Sequence, residues 1–272
     1  MNNMIFQSLY EVTSEIWQNR MRMLRIVWFD IKIENRNLYL GTLWKILAPL
    51  IQLGIFWVVF GIGIRAGAPV DGFPFLVWLL AGLVPWFFIS RGIIMGAMSI
   101  SGKAYMIFKI KYPVSTVPVG AIIISLYDNL IMLVIMAIIF VFNGILPSLF
   151  WFNLVYYNVY IFIFLSSLAL MTSVLVQLAK DFGRLISSLL QLLFFLTPIL
   201  WQEGNLPRWA RPLFVLNPVR YVVNGYRYAL LYQVNFWERP LLLAFFWGMV
   251  LLMLLIGCWL QRKYATRFVD WM

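Results

Sequence analysis

Two ionisable side chains interrupt long apolar runs and are the first candidates for chemistry. Arg91 falls within "FLVWLLAGLVPWFFISRGIIMGAMSI" (75–100) and Asp128 within "VPVGAIIISLYDNLIMLVIMAIIFVF" (117–142). A charge near the bilayer centre costs about 3 kcal/mol on insertion scales, so each is expected to face protein or water. Either the two groups pair with each other or line one aqueous cavity, or Arg91 snorkels to the headgroups.

A second polar line lies in "LNPVRYVVNGYRYALL" (216–231). Asn217-Pro218 has the chemistry of a helix start, with Asn as N-cap and Pro at the first position. Val219, Val222, Val223, Tyr226 and Leu230 then follow helical spacing, while Arg220, Asn224 and Arg227 form a separate line. Two guanidiniums on one helix face suit phosphate oxygens, of a cargo or of lipid headgroups. A third feature is "MIFKIKYPVST" (106–116), where Lys109 and Lys111 precede Pro113 and follow Lys103. By composition alone, these lysines only fix topology.

Other chemistry is missing from the pattern. The chain has no histidine and one cysteine, Cys258, so His-based zinc or haem sites and an intrachain disulfide are excluded. No carboxylate pair, metal-spaced cluster, nucleophile elbow or GxxxxGK[ST] loop is present. No enzyme activity, metal or cofactor is therefore expected on this chain. If ATP drives it, another chain must bind the ATP.

The elements that hold these residues are set by composition. The 272 residues are 63% hydrophobic and 11% charged, with net charge +11 and mean hydropathy +0.88; soluble domains carry about 25% charged residues. About 20 apolar residues are needed to span a bilayer, and six stretches qualify: 44–64, 73–100, 117–142, 149–178, 185–201 and 240–260. The fifth is short and ends near Pro198. Between the fifth and sixth lies a segment that is apolar only in short patches, which reads as a re-entrant or interfacial hairpin. The expectation is an all-α polytopic membrane protein with six transmembrane helices and an external re-entrant hairpin between spans five and six. It forms one membrane-spanning domain over 1–272, divided into an N-terminal cytoplasmic or interfacial segment 1–42, a six-span core 43–260 and a cytoplasmic tail 261–272.

Six spans put both termini on one side. That side holds the basic residues of the N-terminal segment, Lys45, Lys103, Lys109, Lys111, Lys180, Arg184, Arg262, Lys263 and Arg267. The other has Arg65, Arg208, Arg211, Arg220, Arg227 and Arg239. The excess predicts cytoplasmic termini in a multi-pass plasma-membrane protein. No secretory signal is expected in the first 40 residues, which charges interrupt. In "EIWQNRMRMLRIVWFDIKIENRN" (15–37), Trp17, Met21, Leu24, Trp28 and Ile31 share a face beside Arg22, Arg25 and Lys32. This is the pattern of a helix in the cytoplasmic headgroup layer, the alternative being a cytosolic helix packed on the chain's own loops. Aromatics near span ends, "PWFF" (85–88) and "FWFNLVYYNVY" (150–160), read as an interfacial belt, or as faces along a passage where sugar rings slide.

The motifs also follow a known order. "IENRNLYLGTLWKILAPLIQL" (33–53) carries a Leu-Gly-x-x-Trp start and a Pro-broken first span. It is followed by "MIFKIKYPVSTVPV" (106–119), "LTPILW" (196–201) and the 216–231 stretch. Together they resemble the membrane subunit of type-2 ABC exporters for cell-surface polysaccharides. "PVDGFPFLVWLLAGLVPWFFIS" (69–90) is most similar to wall teichoic acid translocation permeases, while O-antigen and capsule permeases share the layout. The resemblance implies a homodimer with two copies of an ATP-binding subunit that carries ATP and Mg. The cargo it implies is an anionic polymer on a polyprenyl diphosphate lipid, with no nucleic acid as partner. It places coupling to the ATPase on Met106, Ile107, Lys109, Ile110, Lys111, Tyr112 and Pro113. Met106, Ile107 and Ile110 would contact a partner groove there. The cytoplasmic entrance falls on Trp28, Arg36, Tyr39 and Trp44. An exit hairpin falls on Asn217, Pro218, Arg220 and Arg227, with the arginines meeting anionic groups. A polyprenyl-linked glycosyl- or phosphotransferase is disfavoured because the loops offer no carboxylate cluster. An ion-coupled transporter is disfavoured because only Asp128 is an embedded carboxylate and no inverted repeat is visible.

Overall fold

The computed structural model describes residues 2–36, 41, 43–64, 66–110, 112–205, 207 and 211–264. Two amphipathic helices open the chain, α1 (Asn2–Gln18) and α2 (Arg20–Arg36), hinged at Asn19. α1 lies on the C-terminal helix α11 (Pro240–Tyr264), and α2 lies on α6 (Thr116–Phe142). On α2, Met23, Val27 and Ile31 are buried against Val119 and Ile124, and Gly120 leaves room for Val27. Trp17, Met21, Leu24 and Trp28 stay exposed. The stripe predicted from sequence thus splits. At about 100° per residue, Ile31 falls at its edge and joins the buried stripe beside it. The segment packs on the chain's own helices with one side and leaves a tryptophan-bearing side open.

Five helices among the described residues are long and apolar enough to cross a membrane: Leu43–Ile64, Phe75–Gly102, Thr116–Phe142, Leu149–Leu178 and Pro240–Tyr264. The first is α3 (Leu43–Phe56) continued by a wide π-helical stretch, Trp57–Ile64. Pro49 sits inside α3 without breaking it, contrary to the sequence expectation. The second is α4 (Phe75–Gly102), and the fourth is α7 (Asn153–Leu178) with a short 3₁₀ turn before it. These five coincide with five of the six stretches expected.

The remaining stretch, 185–201, folds as α8 (Asp181–Leu196). Its 16 residues rise about 24 Å at 1.5 Å each, less than the hydrocarbon thickness of about 30 Å. The stop has a local cause. A residue before proline is pushed out of the helical region, and Thr197, before Pro198, is extended at φ −93°, ψ 136°.

α4 is the centre of the bundle, touching α6, α7 and α8. Val77, Leu79, Leu80, Ala81, Leu83 and Val84 have no exposed surface, as expected of a helix that is apolar all round. Lipid tails are as apolar as leucine, so close approach and polar contacts, rather than water exclusion, hold such helices together. Gly92 and Gly96 supply the approach, because a Cβ on Gly96 would lie 2.6 Å from that of Ala169 on α7. This G-x-x-x-G pair was not singled out from sequence, although the spacing is legible there.

Two short helices follow α8: α9 (Arg211–Val215) and α10 (Pro218–Arg227), the latter continued by a wide turn over Tyr228–Tyr232. α10 begins as the Asn-Pro pair predicts, with the Asn217 side chain accepting from the amides of Val219 and Arg220. Val219, Val222, Val223, Tyr226 and Leu230 are all buried, and α10 inserts against α4 and α7. No strand occurs among the described residues; a single bridge joins Val70 to Phe73 in the loop before α4. That loop turns through left-handed residues at Asp71 (φ 50°) and Gly72 (φ 85°), a conformation that Asp and Gly tolerate.

Candidate functional site

At the end of the bundle bearing α1 and α2, four helices contribute one charged group each to a closed cycle. Lys45 Nζ lies 2.9 Å from Glu34 and 2.8 Å from Asp128, and Arg91 Nη2 lies 2.8 Å from Glu34 and 2.7 Å from Asp128. Each cation meets both anions, and the formal charges cancel. The Lys45 and Asp128 side chains are 7% and 11% exposed, against 37% and 42% for Arg91 and Glu34, so the cycle has a dry side and a wet side. Burial raises the Glu34 pKa, but the Lys45 hydrogen bond and the Arg91 and Lys45 charges outweigh it and hold the carboxyl below its usual value. Arg91 and Asp128 are therefore brought together. Their contact lacks hydrogen-bond geometry and is ionic rather than directional. Glu34 and Lys45 were missed as members. Lys45 was read only as a topology marker, although it lies within a spanning helix, where an ionisable side chain needs a partner.

The basic, proline-stopped patch forms α5 (Ala104–Ile110). Ile107 and Tyr112 are buried with Ile100, Val117 and Val174, and Met106 packs against the same cluster. Helical periodicity turns Ile107, one of the three residues expected at a partner groove, toward its own bundle. Lys109 is exposed and Pro113 is half-buried. The Ile110 side chain and Lys111 lie outside the described residues. Lys103 forms an ion pair with Asp30 of α2, and Arg262 of α11 pairs with Glu11 of α1, fastening both amphipathic helices to spans. Of the expected entrance residues, Trp28 and Trp44 are exposed. The Arg36 side chain and Tyr39 lie outside the described residues.

At the opposite end, α10 forms one wall of a cavity of about 480 Å³. Trp78, Trp201, Tyr228 and Tyr232 supply its aromatic lining, and Asp71, Gln202, Glu203, Asn224 and Arg227 its polar lining. Glu203 accepts from Arg220 through both oxygens and from Asn224 Nδ2 at 2.7 Å. Burial raises the Glu203 pKa, but these hydrogen bonds and the Arg220 charge lower it further, below the usual carboxylate value. Arg227 is 4% exposed. Its guanidinium stacks 3.4 Å over Trp78 and donates to the carbonyls of Pro198 (2.6 Å), Ile199 (2.9 Å) and Trp78 (3.5 Å). The carbonyls freed where α8 stops at Thr197–Ile199 thus find a donor in α10. Asp71 accepts from Tyr232 and Gln202, tying the loop before α4 to this wall.

The two hairpin arginines, expected to meet anionic groups, are already committed. Arg220 is neutralised by Glu203, and Arg227 is sealed beneath the cavity. Many of the aromatics expected at a belt or passage are instead core. Trp86, Phe88, Tyr157 and Tyr160 are all buried, and Tyr156 meets Tyr221 at 2.9 Å and Trp247 at 3.0 Å. Phe152 remains exposed.

An all-helical chain with five described helices long and apolar enough to cross a membrane, and amphipathic helices ion-paired to it at one end, has the build of an integral membrane protein. Residues 22–231 match the ABC-2 type transporter family, and the chain belongs to it. Members of this family are membrane subunits that work with an ATP-binding subunit. The chain is similar to the O-antigen export system permease protein RfbA of Myxococcus xanthus. The two are 26% identical over 230 residues, covering 83% of this chain and 85% of that one. Its counterpart from Klebsiella pneumoniae is 25% identical over 244 residues, 89% of this chain and 91% of that one. These relatives bear the O-antigen name, not the teichoic acid name that 69–90 suggested.

Proposed function

We propose that this chain is the permease subunit of an ATP-driven exporter that carries a lipid-linked polysaccharide of the O-antigen kind outward across the plasma membrane. The observation that carries this reading is the likeness, over more than four fifths of the chain, to two O-antigen export permeases of similar length. The hairpin supports it. Arg220 and Arg227 are both occupied internally, and the described cavity wall at that end is aromatic and polar. Such a wall suits a largely uncharged glycan. A wall teichoic acid polymer is the second reading, resting on residues 69–90.

In the proposed assembly, two copies of the chain form the passage, and two ATP-binding subunits carry ATP and Mg. The cargo hangs from polyprenyl diphosphate. The five long helices and the shorter α8 serve as six spans of one domain, with α9 and α10 re-entering from outside and both termini cytoplasmic. Coupling runs through 106–113, using exposed Lys109, with Ile107 as internal anchor. The exposed apolar faces of α3 and α8, including Ile51, Ile55, Leu185 and Leu192, are available for lipid or the second copy. The test is deletion in the native host. Cells lacking the chain should accumulate undecorated, lipid-linked polymer in the cytoplasmic leaflet and lose it from the surface. Unchanged surface polysaccharide would sink the reading, and loss confined to a phosphate-containing polymer would favour the second.

A further inference from the structure

The cavity beside α10 has the composition of a sugar subsite. Its volume, about 480 Å³, falls in the range of small-ligand sites, roughly 300–1,000 Å³. Aromatic rings have electron-rich faces that attract the C–H edge of a pyranose. Trp201 and Tyr228 are half-buried, as wall residues reachable from the cavity should be. The Trp201 ring is held in place by its Nε1–H donating to the Phe195 carbonyl and by edge contact with Phe214. Tyr228 is fixed by Arg239, whose guanidinium lies 4.4 Å above its ring and donates to its hydroxyl.

The polar groups are acceptor-rich. A carboxylate has about four lone-pair sites. Asp71 accepts one hydrogen bond at each oxygen, from Gln202 at 3.3 Å and from Tyr232, which leaves a lone pair on each for a ligand hydroxyl. Two acids and one arginine line the space, and that arginine is turned to the carbonyls of Pro198 and Ile199. Glu203 is ion-paired with Arg220, which leaves Asp71 as the carboxylate a ligand would meet: hydroxyls can donate to it, whereas a phosphate would be repelled by it.

We infer that this cavity binds one uncharged pyranose unit, stacked on Trp201 and Tyr228 and hydrogen-bonded to Asp71. The inference deepens the exporter reading and rests on it for the source of the sugar. In the assembled exporter, the subsite holds a sugar unit of the polymer at the hairpin end of the permease.

The test uses the full-length chain in nanodiscs, with methyl α-mannopyranoside, methyl β-galactopyranoside and N-acetylglucosamine as probes and glycerol 3-phosphate as the anionic comparison. Saturation-transfer NMR should show millimolar binding of at least one pyranoside and weaker binding of the phosphate. Trp201→Ala and Asp71→Asn should each weaken sugar binding about tenfold, the loss of one good contact. Trp237→Ala, exposed outside the cavity, should leave binding unchanged. Thermal unfolding of each variant separates a binding loss from a folding loss, and Tyr228→Phe provides a milder second change that removes only the Arg239 acceptor.

Tighter binding of glycerol 3-phosphate than of every pyranoside overturns the proposal. So does binding undiminished by Trp201→Ala, or the absence of millimolar binding by every pyranoside. Surface-polymer complementation in cells is read separately. Wild-type chain that binds sugar but restores no polymer refutes the exporter reading alone, and complementation without sugar binding refutes the subsite alone.

Discussion

Asp128 is the residue on which the charge cycle turns, because it is nearly buried and touches both cations. Asp128→Asn leaves Lys45 and Arg91 facing each other with only half-exposed Glu34 between them. Breaking a buried pair costs about 3–5 kcal/mol, so a fall of about 3 kcal/mol in stability is expected from thermal unfolding in detergent. Glu34→Gln should cost about 1 kcal/mol or less, since its side chain is 42% exposed and screened. In a double-mutant cycle, Arg91→Ala and Asp128→Asn should couple; additive effects would show that the contact contributes nothing. The pH dependence has a definite sign. Glu34 and Glu203 have folded pKa values depressed below 4.5. The stability they contribute is complete above that ordinary value and disappears as pH falls through the depressed folded values. Melting temperature should therefore drop on acidification below about pH 4.5, and less steeply in Glu203→Gln.

Among the elements, α10 and α5 show what local sequence can and cannot reveal. The start and buried face of α10 were legible because an N-cap, a proline and a 3.6-residue repeat act on neighbours. Asn217→Ala should cost about 1 kcal/mol. Gly225→Ala is expected to be worse. Its Cβ would lie 2.2 Å from the Tyr157 ring, an overpacking usually costing about 1–3 kcal/mol; membrane yield and melting temperature report it. The role of the α10 arginines was not legible, since Glu203 lies on a separate turn and the carbonyls of Pro198 and Ile199 become acceptors only because α8 stops there. Likewise, Lys45 meets Asp128 across 83 residues, a separation no periodicity encodes. In α5 the apolar residues were visible but their direction was not. Ile107→Asp is therefore expected to destabilise the chain, whereas Lys109→Glu, at an exposed position, should preserve insertion while lowering export or ATPase coupling. Normal export by Lys109→Glu would remove α5 charge from the coupling scheme.

For the whole molecule, hydropathy revealed the five long helices and where they lie in the chain. It also marked the 185–201 stretch as short and ending near Pro198, and α8 stops at Leu196, just before Thr197-Pro198. The two ends of the bundle are built differently. One is fastened by ion pairs from α1 to α11 and from α2 to α3 and the α4 end, with Asp128 of α6 joining through Lys45 and Arg91; the other is held by aromatic packing, by Arg220 on Glu203 and Arg227 on the carbonyls after α8, and by Asp71 binding the α4 loop to Tyr232 and Gln202. A rigid connection at the ion-paired end suits transmission of force from a partner. At the other end, a few replaceable hydrogen bonds suit parting. Asp71→Ala should loosen that end alone, raising amide exchange in 228–235 with little change in α1 and α2.

The charge cycle also has a consequence for how the chain is made. Synthesis runs from Glu34 through Lys45 and Arg91 to Asp128, so the site is balanced once Lys45 follows Glu34 and carries one uncompensated positive charge from Arg91 until Asp128 appears. At roughly 5–20 residues per second, Arg91 waits on the order of a few seconds for Asp128, 37 residues later. A nascent chain that stalls before α6 exposes that charge to lipid and is marked for quality control. One that passes α6 is neutral at this site. Chains truncated after residue 115 should therefore be degraded faster than chains truncated after residue 145 in a pulse–chase experiment, and Asp128→Asn should erase much of the difference.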